Sequence, residues 1–135
     1  MNLPLAELCK KEIIELHQFF EEWFNGPATE GKYSLERVDR ALDKDFEIIS
    51  PNGNRSDKRT LLKNLERAKG SWNGEKIRIK NIEIKELEDE IGLALYEEWQ
   101  GKPNEMKGRL SSAVFKRAEK APAGVQWVHL YEIWI

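Results

Sequence analysis

A single cysteine, Cys9, cannot form an internal disulfide, so the fold must be held by burial alone, and a reducing, cytoplasmic setting is expected. Two dispersed histidines, His17 and His129, together with that one cysteine lack the close spacing of a zinc site. No metal or other cofactor is therefore expected. No apolar run reaches membrane-spanning length, and Glu7, Lys10, Lys11 and Glu12 interrupt the N-terminus, so neither a transmembrane helix nor a signal peptide is expected. Charge of one sign is lacking too. The 22 Lys plus Arg against 24 Asp plus Glu leave a net charge of -2, which gives no global field to gather nucleic acid or a membrane surface. No glycine-rich phosphate loop follows a strand, because Gly70-Ser71-Trp72-Asn73-Gly74 is too short and wrongly placed.

What is present is bulky core material on a well-solvated chain: five Trp, five Phe and three Tyr, with 34% charged residues. At 135 residues this suits one domain, 1–135, with a core that needs no staple. Leu5 to Phe24 reads as a helix whose stripe is Ile13, Leu16, His17, Phe20 and Phe24, stopped by Asn25-Gly26-Pro27 with Gly26 in the left-handed cap conformation. A second helix is expected from Ser34, as N-cap, to about Asp43. Phe46 to Ile49 follows as a short strand turned by Pro51-Asn52-Gly53. Ser56 or Asp57 caps a third helix to about Ala68, with Leu61, Leu62 and Leu65 inward and the basic residues from Lys58 to Lys69 on a solvated face. Strands then dominate: Lys76 to Leu87, Ile91 to Gln100 after the acidic turn Glu88-Asp89-Glu90, Arg109 to Arg117, and Gln126 to Ile135. Helices first and hairpins last predict an α+β fold, with the helices laid on one face of a curved, mainly antiparallel sheet.

The last strand is apolar on both faces, each with one titratable group. Trp127, His129, Tyr131, Ile133 and Ile135 alternate with Val128, Leu130, Glu132 and Trp134. Such a strand must be covered on both sides.

This order of elements, the run Asp45-Phe46-Glu47-Ile48-Ile49-Ser50-Pro51-Asn52-Gly53 leading into Lys58 and the leucine helix, and the ending Gln126-Trp127-Val128-His129-Leu130 resemble the nuclear transport factor 2-like superfamily. That cone-shaped, cystatin-like fold includes SnoaL-like proteins and ketosteroid isomerase, and the resemblance is to a branch of unknown function. It implies a pocket between the helices and the sheet. It also places Phe20, Ser50 and Ser112 where ketosteroid isomerase carries its tyrosine, base and acid, so that chemistry is disfavoured.

Matching strand parity to the family puts Val128, Leu130, Glu132 and Trp134 inward, with Leu93, Leu95, Glu97 and Trp99 inward on an adjoining strand. The expected ligand site is thus His17, Phe20, Leu95, Glu97, Trp99, Ser112, Leu130, Glu132 and Trp134, with Trp23 or Trp72 closing the mouth. His17, Glu97 and Glu132 are the candidates for acid–base work; the structural alternatives are Glu97 and Glu132 paired with Arg109 or Lys107, and His17 as a satisfied core residue. The functional reading is a non-catalytic protein for a small apolar or amphipathic ligand. The alternatives are a cofactor-independent lyase or isomerase and an interaction module without a cavity. The opposite sheet face, with Trp127, His129 and Tyr131, is expected to form a homodimer. Cys9 is expected to be a buried, inert thiol.

Overall fold

The computed structural model describes residues 3–26, 34–88 and 90–135. Helix α1, Leu5–Asn25, is followed by α2, Glu36–Ala41, and strand β1, Leu42–Ile49. Next come the short β2, Arg55–Asp57, and α3, Lys58–Ala68, and then β3, Lys76–Glu88, β4, Ile91–Lys102, β5, Glu105–Arg117, and β6, Val125–Trp134. The six strands lie in the order β2-β1-β6-β5-β4-β3, with β1 parallel to β6 and every other pairing antiparallel. The helices precede the long hairpins as expected, and α1 packs across β3, β4 and β6. Pro27 and Asp89, part of the expected helix stop and acidic turn, lie outside the described residues.

The stripe that makes α1 a helix also seats it. Leu5, Cys9, Ile13 and Leu16 are all buried at helical spacing. Small residues beneath them let the helix come close, since a Cβ on Gly92 would meet Cys9 Sγ at 3.2 Å, and Ala94 and Ala113 beside it are fully buried. Burial pushes the Cys9 thiol up to about 12, which leaves it uncharged and unreactive.

The end of α1 differs from the expected cap. Gly26 is extended, at φ -75°, because the open carbonyls are satisfied by other groups: Gly70 N–H donates to Trp23 O at 3.1 Å and Trp72 N–H to Phe24 O at 2.8 Å. Glycine is needed for space, since a Cβ there would lie 2.8 Å from Glu22 O. Helix α2 also stops earlier than expected, at Ala41, with β1 starting at Leu42. Lys58 Nζ donates to the carbonyls of Asp39 and Leu42 at 2.9 and 3.1 Å and closes that end. Asp57 caps α3 by accepting from Thr60 N–H at 2.8 Å.

Two bulges decide which side chains face the helices. In β3 the isoleucines 77 and 79 are odd-numbered and 82 and 84 even-numbered. A bulge there, with Asn81 at φ 55°, keeps all four half-buried on one side. In β6 the register shifts between Trp127, opposite Phe115, and His129, opposite Val114. Simple alternation fails at that point. Trp127, expected on the outer dimer face, is 1% exposed and sits in the core with Phe115, their ring centroids 4.4 Å apart.

Trp127 also spans the two layers. Its indole N–H donates to Glu12 Oε2 at 2.8 Å, and Arg37 from α2 grips the same carboxylate through both terminal nitrogens, at 2.8 and 3.3 Å. Glu12 is fully buried, and burial raises its pKa although Arg37 and Trp127 oppose the rise. Replacing Trp127 by Phe keeps the ring but leaves an acceptor short of a donor, a loss of about 1–3 kcal/mol in urea unfolding. The control Trp134→Phe removes an exposed contact of 3.5 Å to Asn52, keeps an aromatic ring beside Lys107 and Arg109, and should change stability by less than about 0.5 kcal/mol.

Candidate functional site

Sheet register brings four polar side chains together on the helix-bearing face. Glu98 on β4 stands opposite Arg109 on β5, and Ser111, two residues on from Arg109, stands opposite Glu132 on β6. Helix α1 lowers His17 onto this row. Its Nε2 lies 3.1 Å from Glu98 Oε1 and its Nδ1 2.6 Å from Ile13 O. A carboxylate and a carbonyl can only accept, so both ring nitrogens act as donors and His17 is an imidazolium. Phe20, Tyr96 and Trp127 confine the ring, with centroids 5.8, 5.7 and 6.2 Å away.

The rest of the row completes the pairing. Gln100 donates its amide to Glu98 Oε2, Arg109 Nη1 lies 3.1 Å from Glu132 Oε1, and Ser111 Oγ donates to Glu132 Oε2 at 3.3 Å. Burial works against ionising Glu98, yet the His17 charge and hydrogen bond overcome it and hold the carboxyl down to about 2. Burial likewise opposes the charge on His17, and Glu98 outweighs it, so the imidazole pKa is raised. For Glu132 burial and the nearby Glu98 prevail over Arg109, and its pKa is raised. Burial, followed by the charges of Glu98 and Glu132, also holds the Tyr96 phenol neutral.

This row forms the polar end of a cavity of about 160 Å³ between α1, α3, β1 and the sheet. Leu16, Phe20, Phe24, Phe46, Leu65 and Trp127 supply apolar walls, while His17, Glu98, Gln100, Arg109 and Glu132 face it at one side. Because both nitrogens of His17 are engaged and Glu98 is firmly ionised, neither is a free proton acceptor. Glu132 is the carboxyl of the two that keeps its proton to higher pH.

Of the residues expected from sequence, His17, Phe20, Leu130 and Glu132 line this cavity. Leu95, Glu97, Trp99 and Ser112 do not. Leu95 is 39% exposed, and Glu97 lies on the other face, accepting from Asn81 at 2.7 Å and from Trp99 Nε1 at 3.0 Å. Their even-numbered neighbours Ala94, Tyr96 and Glu98 face the helix instead, so Glu97 is replaced by Glu98 in the cavity, as Ser112 is by Ser111 at the Glu132 carboxylate. Leu93 and Val128 are only half-buried and likewise stand outside the cavity lining. Trp134, 38% exposed, borders a cleft outside the cavity. Ser50 sits at the end of β1 in a turn, its N–H bonded to Asn54 O. Trp23 is buried, its indole donating to Leu65 O at 2.7 Å, whereas Trp72 leans on Phe24 at 4.6 Å and borders the outer cleft. The missed residues carried a signal: Gly92 and Ala94 mark the side of β4 that a helix crosses, and Tyr96 and Glu98 continue it.

This arrangement, with α1 on a six-stranded mixed sheet enclosing a cavity, is the nuclear transport factor 2-like, cystatin-like α+β fold. Residues 9–135 match the model of the sucrose-6-phosphate phosphohydrolase C-terminal family, and the chain belongs to that family. Among solved structures, an NTF-2 like protein of unknown function from Pseudomonas aeruginosa is 23% identical, with a TM-score of 0.83 over 95% of this chain and 98% of that one. A domain of unknown function with a cystatin-like fold from Nostoc punctiforme is 11% identical, at 0.71 over 98% and 78%. The S. rosetta CaMKII hub is 8% identical, at 0.70 over the full length of both. No curated protein matches the chain. No helix among the described residues is long and apolar enough to cross a membrane.

The ion pair makes a pH prediction of definite sign. A raised His17 pKa contributes stability that is full below the ordinary value of 6.5 and is lost as pH rises through the folded value. The lowered Glu98 pKa contributes stability that is full above 4.5 and is lost as pH falls towards about 2. The stability difference between the wild type and the double variant His17→Leu/Glu98→Leu, followed by urea unfolding across pH, should therefore favour the wild type most between those two ordinary values. Single substitution of either residue should cost more than the double, by about 3–5 kcal/mol for an uncompensated buried charge.

Proposed function

We propose that the chain is a single-domain, non-catalytic binding protein for a small organic ligand, which occupies the cavity against the His17–Glu98 and Arg109–Glu132 pairs. The observation that carries this reading is an apolar enclosure with a few fixed polar groups at one end, the usual composition of a small-molecule site. Acid–base catalysis has less support, since His17 and Glu98 hold each other and only Glu132 is left to exchange a proton. The free, buried Cys9 thiol supports a reducing, cytoplasmic setting.

The account also includes a homodimer through the outer sheet face. Leu95, Tyr131 and Ile133 on that face are exposed, and Ser112 pairs with both Leu95 and Tyr131 in adjacent strands, which makes them one patch. The hub and association domains among the structural neighbours are compatible with self-association. Sedimentation velocity at micromolar concentration should give a dimer for the wild type and a monomer for Tyr131→Glu; a monomeric wild type contradicts this half of the proposal. For the cavity, a thermal-shift screen of neutral single-ring compounds should raise the melting temperature of both the wild type and Glu132→Gln. Uniform absence of a shift contradicts the binding reading, and a turnover that Glu132→Gln abolishes would favour catalysis.

A further inference from the structure

Outside the cavity lies a second hollow of about 220 Å³, and it is not independent of the first. Gln100 and Arg109 line both, so they form the partition between an apolar interior and an open cleft. Two cations gather there on one indole: Lys107 Nζ lies 3.9 Å from the Trp134 ring centroid and Arg109 Cζ 5.0 Å from it. Lys107 has no carboxylate partner among the described residues. Arg109 spends one terminal nitrogen on Glu132, while its Nε is buried with no acceptor among the described residues. A buried donor without an acceptor is costly and points to a group that the protein alone does not supply. Trp72 completes the cleft, and its contact with Phe24, a wall of the cavity, ties the two spaces together.

We propose that cavity and cleft form one site for an amphipathic monocarboxylate, its apolar body in the cavity and its carboxylate in the cleft on Lys107 and Arg109, between Trp72 and Trp134. Size sets the first half of the ligand. A cavity of about 150 Å³ lined by aliphatic and aromatic side chains takes up benzene, so the 160 Å³ here suits one ring or a short chain and is too small for a fused polycycle. Charge sets the second half. Glu75 also borders the cleft and Glu132 already offsets part of the Arg109 charge, which leaves enough for one negative charge and disfavours a dianion such as a phosphate monoester.

This rests on the reading of the cavity as a ligand site, and the experiment separates the two. Isothermal titration at low ionic strength is run with 3-phenylpropanoate, its amide and toluene, on the wild type and on Lys107→Gln, an exposed position whose replacement leaves the core intact. The expected result is that all three bind and the acid binds at least about tenfold more tightly than the amide, a typical margin for a charge-assisted hydrogen bond. Lys107→Gln should remove most of that margin and leave toluene unaffected. Equal binding of acid and amide overturns the carboxylate cleft while toluene binding upholds the cavity. A preference for the acid that Lys107→Gln does not touch overturns the assignment of the head group. Acid binding without toluene binding confines the ligand to the cleft and overturns the joined site. Failure of all three overturns the cavity reading itself.

Discussion

Removing two opposite charges from water constrains this molecule more than any single apolar contact. His17 comes from α1 and Glu98 from β4, each almost fully buried, and each needs the other at 3.1 Å to remain ionised there. Either charge alone would cost several kcal/mol, so the helix can neither rotate nor slide on the sheet without breaking both partners. Such a pair adds little net stability over apolar residues of the same shape; what it fixes is position. With His17 held, Phe20 and Phe24 one and two turns on are fixed as cavity walls.

About a turn and a half earlier in the same helix, Glu12 supplies a second buried polar anchor. Glu12 accepts from Trp127 on β6 and from Arg37 on α2, so one buried carboxylate holds three elements together. Between the two anchors lie Ile13 and Leu16, the purely apolar stretch of contact. Arg109 then extends the polar row from Glu98 to Glu132 and onward to the rim at Trp134. One cross-strand row thus joins the interior of the cone to its surface. That continuity is the basis for the proposed ligand with one apolar and one charged end.

The helices and the long strands were legible in the sequence from their periodicity and turn residues, though β1 and β5 each begin four residues before the expected start and the short β2 carried too few residues to show a pattern. The cavity was only half legible. His17, Phe20, Leu130 and Glu132 could be found from a helical stripe and from the end of β6 beyond its bulge. Trp127 could not, since one extra residue between it and Leu130 reverses the face, and alternation carries no trace of a bulge unless apolar residues fall on both sides of it. The isoleucines of β3 do so at 77, 79, 82 and 84, and that break in parity was readable. On β4 the parity matched to the family placed Leu93, Leu95, Glu97 and Trp99 inward, yet helix contact selects small residues, and Gly92 and Ala94 were the better guide to Glu98. Resemblance to a family indicated the fold, while the parity carried over from it produced the one-residue error on β4.

The protonation of His17 is the most direct test of the account. Nitrogen-15 NMR of the histidine side chains at neutral pH should show both ring nitrogens of His17 protonated, with exchange-protected N–H signals that reach Glu98 and the α1 backbone. A neutral ring with one bare nitrogen would mean that Glu98 does not hold a buried imidazolium, and the placement of α1 and of the cavity's polar end would need another cause.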